Sequence, residues 1–399
     1  MAAEGKVVME TLYLDNAATS FPKPDTVIAA MIAYQQNIGA NPGRSGHGRS
    51  IEAGRIVFET REALARLFHI EDPLRIALTK NATESLNIAL QGGLRPGDSV
   101  ITSGMEHNSV MRPLRVLETR GVELSVVPCS PRGELEPDDV RKALRKNTRM
   151  VVLTHASNVT GTILPVEAVG ALLRDRPEVM FCVDAAQTAG ALPIDVEKMR
   201  IDLLAFTGHK SLFGPQGTGG LYIREGLENK ISSLMMGGTG SRSEFEQQPE
   251  FMPDRYESGT PNTIGIAGLC AGVSFVLEQT VETLRAREEE LTSRFLSGLR
   301  DLRNDVLVYG PQDASRQTAV VSFNIKGVTA SDAASYFEDN RGILCRPGLH
   351  CAPSAHRTIG TFPQGTVRFS LGFFNTQQDV DEACAALREL VKRKGNDRS

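Results

Sequence analysis

The sequence carries little net charge, few cysteines and no apolar run long enough to span a membrane. Its 399 residues have a formal net charge of −4. The dense positive charge that binds a phosphate backbone is therefore absent, and we expect no nucleic-acid partner. No stretch approaches the length of a membrane-spanning helix, which predicts no membrane partner. Residues 1–10 lack both the basic start and the apolar run of a targeting segment, so we expect a cytoplasmic protein.

The six cysteines are scattered through the chain without the dense spacing of a disulfide framework. Reduced thiols are therefore the expectation. Cys345 and Cys351 lie near His350 and His356, but this group lacks the paired short spacings of zinc motifs. We expect no metal site.

The length favours two domains, and the pattern of apolar runs places an α/β domain first. Between residues 75 and 224, short apolar runs alternate with helix-length segments, which predicts parallel strands joined by helical crossovers. Ligands of such sheets collect at the carboxyl ends of the strands. Strands are predicted at 75–79, 99–102, 123–127, 149–154, 179–183 and 203–206.

A long helical stretch from Pro261 to about Leu302 is predicted to lead into a second domain. Two glycine-rich runs, 214–220 and 237–240, match no nucleotide-binding spacing and are interpreted as turns. We expect a large domain over 16–262 and a smaller one over 1–15 and 263–399. In the second domain, strands are predicted at 318–325, 343–346 and 366–371, and helices at 331–340 and 377–394.

Two polar positions that follow predicted strands together indicate pyridoxal phosphate chemistry. Lys210 ends the polar turn 207–210, and Asp184 follows the apolar run 181–183. A lysine amine forms an imine with the cofactor aldehyde, while an aspartate at the ring nitrogen keeps it protonated so that the ring accepts electrons. Alone, Lys210 is more simply a surface lysine and Asp184 a helix cap, but the pair favours a cofactor site.

Three further polar residues follow strand ends. Gln187, three residues after Asp184, is predicted to reach the phenolic oxygen of the same ring. His107 follows the strand at 99–102 and is predicted to stack on the cofactor, although a lone histidine is more often structural. Asn158 is predicted to bind the ring oxygen or the substrate, with a turn-forming asparagine as the alternative.

The segment 80–85 lies between a strand and a helix and has the properties of an anion site. The backbone N–H groups of Ala82 and Thr83 are expected at the helix start, where they can bind phosphate. Thr207 and His209 are expected to converge on the same phosphate. The simpler alternative is that Asn81 or Thr83 only caps the helix.

Arg368 and Cys351 are the candidates for handling the substrate. Arg368 lies among β-forming residues, where a buried cation needs an anion; a substrate carboxylate held by both prongs would serve, and a structural salt bridge is the alternative. Cys351 lies in the run 346–353, whose prolines and glycine predict an exposed loop. Because His350 and Arg346 are close in sequence, we expect an environment that favours the thiolate, whereas most cysteines are buried and inert.

Taken together, these motifs resemble those of the cysteine desulfurases in the fold-type-I, class V aminotransferase group. Matching segments extend from 13–19, which reads YLDNAAT, to 373–376, which reads FFNT, so the resemblance spans nearly the entire chain. The loop with His350, Cys351 and Ala352 looks like the SufS-type branch, which also contains selenocysteine lyases. The resemblance implies a fold-type-I PLP-dependent transferase, with a large domain built on a mainly parallel seven-stranded sheet and a smaller α/β C-terminal domain.

The resemblance also implies roles for individual residues. Thr260, in the run 257–262, would reach the cofactor phosphate of the other subunit, which implies a homodimer with shared active sites. The other implied contacts with pyridoxal 5'-phosphate are Lys210 as the Schiff-base lysine, Asp184 at the pyridinium, Gln187 at the ring oxygen, His107 stacked on the ring, and Ala82, Thr83, Thr207 and His209 at the phosphate.

Two positions depart from the family pattern. The familiar glycine-threonine-threonine phosphate loop is here Asn81-Ala82-Thr83, which leaves binding by backbone amides intact. The residue before His350 is Leu349 rather than a second histidine, which leaves open how the thiol is tuned and which chalcogen it handles.

The predicted reaction converts L-cysteine to L-alanine and leaves a persulfide on Cys351, which passes to an acceptor thiol or protein. Arg368 would fix the substrate carboxylate, with Asn158 and Arg346 as further substrate contacts, and Lys210 would remove the α-proton. Three alternatives stay open at this point. They are a selenocysteine lyase, an aminotransferase or β-lyase acting on another small amino acid, and a cofactor-binding scaffold without activity.

Overall fold

The computed structural model describes residues 11–43 and 46–396, which form an α/β structure with two main sheets. The strands are β1 Leu12–Tyr13, β2 Ile76–Thr79, β3 Ser99–Ser103, β4 Glu123–Val127, β5 Thr148–Thr154, β6 Met180–Asp184, β7 Leu203–Thr207, β8 Gly219–Ile223, β9 Val306–Tyr309, β10 Val320–Ile325, β11 Ile343–Leu344, β12 Arg346–Gly348 and β13 Thr366–Ser370. The α-helices are α1 Asp25–Ala33, α2 Gly48–Phe68, α3 Ala82–Gly93, α4 Asn108–Thr119, α5 Pro137–Ala143, α6 Val166–Leu172, α7 Thr263–Gln279, α8 Val281–Arg300, α9 Ala330–Arg341, α10 Pro353–Thr358 and α11 Gln377–Asn396.

The large sheet has seven strands in the order β2-β8-β7-β6-β5-β3-β4. Neighbours from β7 to β4 run parallel, whereas β8 is antiparallel to both β2 and β7. The predicted mainly parallel sheet is therefore confirmed. Strands β3, β6 and β7 are buried at every position, as expected for apolar runs in a sheet covered on both faces.

Strand β8 corrects the sequence prediction, which placed a turn over 214–220. Gly219 and Gly220 open this strand and pair with β7. A Cβ on Gly220 would lie 2.3 Å from Cζ of Phe206 on the neighbouring strand. Glycine is therefore required here for close approach to an aromatic ring within a sheet, and not for a turn.

The smaller sheet is antiparallel, with the order β12-β13-β10-β9. Its core includes Phe295 from α8, Phe337 from α9 and Phe369 from β13. Beside it, β1 pairs in parallel with β11, which brings the start of the described chain to this domain. Strand β9 was absent from the sequence prediction, although its four residues are all apolar; only Val306 among them is buried.

The helical stretch predicted from Pro261 to Leu302 is two helices. α7 and α8 are bent by 80° at Thr280, whose φ is 68°. The Thr280 hydroxyl accepts a hydrogen bond from the N–H of Thr283 at 3.2 Å, so this threonine caps α8. Within the described part of the chain, no single helix is long and apolar enough to cross a membrane, and only this bent pair passes such a test together.

The predicted division of the chain at residue 262 stays a prediction. α7 packs against α1 and α2, and its Leu269 and Val273 belong to the core of the large sheet. α8 contributes Leu284 to that core and Leu291 to the core of the smaller domain. α8 is therefore the element that joins the two cores. Residues 1–10, which the prediction assigned to the smaller domain, lie outside the described residues.

Candidate active site

A cavity of about 280 Å³ lies at the carboxyl ends of the parallel strands, where ligands of such sheets bind. It receives side chains from the loops after β2, β3, β5, β6 and β7, and from the smaller domain. All residues predicted for the site line it except Thr260. They are Ala82, Thr83, His107, Asn158, Asp184, Gln187, Thr207, His209, Lys210, Arg346, Cys351 and Arg368.

Lys210 and Asp184 reach this cavity from neighbouring strand ends. Asp184 ends β6 and is 3% exposed. A turn, and not a helix, follows it. In this turn, Oδ1 of Asp184 accepts a hydrogen bond from the N–H of Ala186 at 2.9 Å. Burial raises the pKa of Asp184. Burial also lowers the pKa of Lys210 to about 8, against the opposing effect of Asp184. A neutral amine is thus accessible near neutral pH, and the buried carboxyl favours a cationic partner.

The start of α3 forms another wall of the cavity. Asn81 caps this helix, because its Oδ1 accepts from the N–H of Glu84 at 2.9 Å. The first-turn residues Ala82 and Thr83 line the cavity, where a helix start favours an anion. The Thr83 hydroxyl lies 2.7 Å from that of Ser109. Asn81 is therefore the cap, and binding of an anion by Ala82 and Thr83 stays a prediction.

Thr207 and His209 line the same cavity from the end of β7. Nδ1 of His209 is buried and has no hydrogen-bond partner among the described residues. Burial lowers the pKa of His209 to about 4, and the charges of Lys210 and Lys23 add to this effect. The neutral ring thus has a buried nitrogen that is available to a ligand.

His107 and Gln187 are held at the cavity by hydrogen bonds of their own. Nδ1 of His107 accepts from the N–H of Ser109 at 3.0 Å and caps α4. Burial lowers the pKa of His107 to about 4, with Lys210 as a further cause, so its ring is neutral. Nε2 of Gln187 donates to the carbonyl of Ala17 at 3.1 Å. Both side chains are therefore fixed against the cavity wall.

Arg368 forms the structural ion pair that the sequence left open as one alternative, and its contact with a substrate carboxylate stays a prediction. It is 2% exposed and forms an ion pair with Asp15, with Nη2 and Oδ1 2.7 Å apart, and it also lines the cavity. Its Nε is buried without a hydrogen-bond partner among the described residues. Arg346 lies opposite it in the register of β12 and β13. The Arg346 guanidinium makes no hydrogen bond or ion pair with any described residue, so this end of the cavity carries a net positive charge.

Cys351 is exposed and lies on a turn between β12 and α10. His350 beside it is 4% exposed, and its Nε2 lies 3.0 Å from the hydroxyl of Thr366. Burial and the charge of Arg368 hold the pKa of His350 well below its usual range. The buried, neutral ring of His350 therefore brings no positive charge to Cys351, and the expectation of an environment that favours the thiolate stays a prediction. Arg346 is the remaining cation of the predicted environment.

Asn158 connects the cavity to the segment that carries Cys351. Its Nδ2 donates to the carbonyl of His350 at 2.7 Å. The main-chain carbonyl of Asn158 accepts a hydrogen bond from Nη1 of Arg368 at 3.0 Å. Sequence analysis predicted a contact of Asn158 with the ring oxygen or the substrate, and the bond to His350 was not foreseen.

Thr260 lies in a different cavity of about 430 Å³. The rest of its motif, residues 257–262, lines that second cavity as well. Within one chain, the structure does not bring Thr260 to the residues around Lys210.

Two acidic residues near the site were missed. Asp15 lies in the matched run 13–19, but nothing in that run identified it as the partner of Arg368. Glu106 is fully buried, and its carboxylate accepts from the N–H of Thr154 at 3.1 and 2.9 Å. Burial raises its pKa to about 8. The one available sequence signal was its position next to His107.

The other thiols give no metal centre among the described residues. No group of three or more His, Cys, Asp or Glu side chains in residues 11–43 and 46–396 could hold a metal ion. All six cysteines are free. Burial raises the pKa of Cys345 to about 12, which makes it a poor nucleophile.

Comparison with known proteins places this geometry in a family. Residues 12–383 match the family described as aminotransferase class-V. The chain is 34% identical over 397 residues to a "Probable cysteine desulfurase" of Pyrococcus abyssi, covering 97% of this chain and 96% of that protein. It is 32% identical over 390 residues to a "Cysteine desulfurase" of Haloferax volcanii, covering 95% and 90%.

A solved structure gives the same result. The apo structure of a cysteine desulfurase from Thermococcus onnurineus NA1 superposes with a TM-score of 0.90 at 34% identity, covering 96% of this chain and 95% of that one. The fold-type-I architecture expected from the sequence is thereby confirmed. The chain belongs to the aminotransferase class-V family and, within it, to the cysteine desulfurases.

Proposed function

We propose that this protein is a pyridoxal phosphate-dependent cysteine desulfurase that converts L-cysteine to L-alanine and retains the sulfur as a persulfide on Cys351. The observation that carries the proposal is that Lys210, Asp184, Arg368 and Cys351 line one cavity of about 280 Å³. One protein thiol and one L-cysteine give one persulfide and one L-alanine. The reaction therefore balances without an outside oxidant or reductant.

The cavity fits both charged ends of pyridoxal 5'-phosphate. Its phosphate suits the amides of Ala82 and Thr83 at the start of α3, with the Thr207 hydroxyl and the buried Nδ1 of His209 as further contacts. The ring nitrogen suits Asp184, whose burial without a cation is costly and would be relieved by a protonated ring. When bound, the cofactor supplies an electron sink for negative charge that develops on the substrate α carbon.

The remaining ring contacts are assigned to three side chains at the cavity wall. The amides of Gln187 and Asn158 each retain an N–H for the ring oxygen beyond the one that bonds a backbone carbonyl. The neutral imidazole of His107 is suited to stacking because it brings no second positive charge to the ring. These contacts orient the ring and leave its chemistry to the cofactor.

Lys210 has two tasks in this proposal. Its amine would hold the cofactor through the aldehyde, and the same amine, when free, would accept the proton from the substrate α carbon. A pKa near 8 suits both tasks, because the amine exchanges protons readily at neutral pH. Asp184 supports proton removal by keeping its negative charge near the ring nitrogen.

Substrate binding and sulfur removal are assigned to the smaller domain. The guanidinium of Arg368, which lines the cavity, is assigned to the substrate carboxylate, and the unpaired cation Arg346 lies beside it. The Cys351 thiolate attacks the substrate sulfur, the bond between that sulfur and the substrate β carbon breaks, and the carbon takes up a proton. The alanine skeleton leaves and the sulfur stays on Cys351.

Partners and location are also proposed. A homodimer would let Thr260 of one subunit approach the phosphate site of the other; this rests on the resemblance of the run 257–262 to the family, since within one chain Thr260 lies in a separate cavity. The exposed Cys351 supports transfer of sulfur to an acceptor thiol or protein. Six free cysteines support a reducing compartment such as the cytoplasm. A fully active monomer would contradict the shared site.

The first test is alanine release from L-cysteine, with a reducing thiol present, by wild-type protein and Cys351→Ala. We expect the variant to lose at least about 100-fold in rate, because a covalent route has lost its nucleophile. Cys270→Ala, which removes a half-buried thiol outside the cavity, should keep the wild-type rate. Unchanged alanine release by Cys351→Ala would contradict the proposal. If Cys351→Ala loses activity on L-cysteine but keeps it on L-selenocysteine, the enzyme also acts as a selenocysteine lyase, which needs the thiol less because selenium leaves more readily.

A further inference from the structure

The backbone that carries the Cys351 thiol is fastened to the large domain at two adjacent carbonyl groups. The carbonyl of His350 accepts from Nδ2 of Asn158 at 2.7 Å, and that of Cys351 accepts from the N–H of Asn108 at 2.9 Å. Asn158 follows β5 and Asn108 begins α4 after β3. The segment is thus bonded to the same strand ends that form the cavity.

This segment has a conformation that its own sequence does not favour. His350 and Cys351 have φ angles of 48° and 57°, and two successive non-glycine residues in the left-handed region persist only when the surroundings impose it. The Cys351 side chain is exposed and supplies little packing. The hydrogen bonds around it therefore determine where the thiol points.

We propose that Asn158 is a positioning residue for the Cys351 thiol. Its side-chain amide donates a hydrogen bond to the His350 carbonyl and so holds the neighbouring thiol toward the cavity. Breaking this bond leaves the strained segment held to the large domain through the Cys351 carbonyl alone, so that it turns outward more readily to deliver its sulfur. The inference rests on the proposed function, in which Cys351 carries the sulfur.

Asn158 is the part of this fastening that the sequence controls through a side chain. The contact of Asn108 uses its backbone N–H, which every residue except proline provides. Asn158 is in turn held by Arg368, whose Nη1 donates to its carbonyl at 3.0 Å, and Arg368 is held by Asp15. The Cys351 segment and the proposed carboxylate site at Arg368 are thus held by the same chain of hydrogen bonds.

The test uses the cofactor-loaded enzyme and the variant Asn158→Ala. We expect kcat with L-cysteine to fall about 10- to 100-fold while KM changes less than about threefold, because a misplaced thiol slows attack more than binding. We also expect Cys351 to react at least about fivefold faster with a maleimide attached to a polymer too large for the cavity, because the segment opens more often. The labelling rate is read by mass spectrometry at Cys351.

Two further variants separate the hydrogen bond to His350 from other roles of Asn158. Gln187→Ala alters the same cavity, but its amide bonds Ala17 and not the Cys351 segment, so its labelling rate should equal that of wild type whatever its kcat. Asn158→Asp keeps the shape of the side chain but cannot donate to the His350 carbonyl. It should speed labelling as Asn158→Ala does, and it serves if the alanine variant does not fold.

Wild-type labelling rates in both Asn158 variants would overturn the inference. So would an increase in KM with kcat unchanged, because that pattern marks lost binding. Failure of the proposed function looks different. In that case the wild-type enzyme itself would release no alanine from L-cysteine.

Discussion

The two ends of the cavity are built differently. Asp184 and Thr207 end buried strands of the large sheet, and each is 3% exposed. Cys351, at the other end, is exposed on a turn with two successive left-handed residues. The groups assigned to the cofactor are therefore fixed by secondary structure, whereas the thiol is fixed by a few hydrogen bonds. A ring must be held still, while a sulfur carrier must reach both cavity and solvent.

The largest loss of activity should come from the rigid end of the cavity, where strand ends of the large sheet fix the groups assigned to the cofactor. Lys210→Ala removes the amine that holds the cofactor and moves the α-proton, and alanine release should fall at least about 1000-fold. Release is measured by chromatography of the product. Lys80→Ala, whose side chain is 69% exposed and does not line this cavity, is the matched control and should keep the wild-type rate. Substantial activity in Lys210→Ala would mean that the rigid end is not where the proton moves.

A substitution of Arg368 tests how the two ends of the cavity are connected. Arg368→Leu should lower kcat/KM about 100-fold, because a charge-assisted contact to the substrate carboxylate is lost. It should also lower the free energy of unfolding by about 1–3 kcal/mol, because Asp15 is left without its partner. Denaturant unfolding measures the second effect.

Two comparisons sharpen the Arg368 result. Adding Asp15→Asn to Arg368→Leu should recover much of the stability but none of the activity, since it removes the uncompensated charge. Arg294→Leu breaks an ion pair with Asp381 whose two side chains are 44% and 56% exposed, and it should cost under about 1 kcal/mol. Equal costs for Arg368→Leu and Arg294→Leu would contradict the buried pair.

The last prediction concerns Glu106 at the rigid end, and it is read as a change of stability with pH and not as a change of activity. Its folded pKa is about 8 against an ordinary value of 4.5, so between these values the folded protein binds one proton more than the unfolded chain. The free energy of unfolding should therefore fall as pH rises through this window. Glu106→Gln removes that slope, so its stability relative to wild type should be higher at pH 8 than at pH 5. A pH-independent difference would show that the buried carboxyl is already ionised.

The rigid end is also the end that sequence predicts best. Apolar runs identify β6 and β7, and Asp184 at the end of β6 and Lys210 in the turn after β7 follow from the same local pattern. β8 was not predicted because Gly219 and Gly220 are typical of a turn, and their close approach to the ring of Phe206 depends on the folded sheet. The end of α7 escaped because Thr280 breaks the helix without a glycine or proline.

The thiol end depends on contacts between distant parts of the chain. Arg368 pairs with Asp15 over 353 residues, and Asn158 bonds His350 over 192. No local pattern encodes such pairs. The burial of His350 was hidden for the same reason, since its neighbours in sequence, among them two prolines and a glycine, indicate an exposed loop.

The central claim is that both ends serve one reaction, with sulfur passing from a substrate bound at Lys210 and Arg368 to Cys351. It is tested most directly by mixing the cofactor-loaded enzyme with less than one equivalent of L-cysteine, without reductant, and locating added sulfur by peptide mass spectrometry. The account predicts one extra sulfur atom on the peptide that contains Cys351, formed in step with alanine and absent in Lys210→Ala. Alanine formed without sulfur on Cys351, or with sulfur on another of the six cysteines, would contradict it.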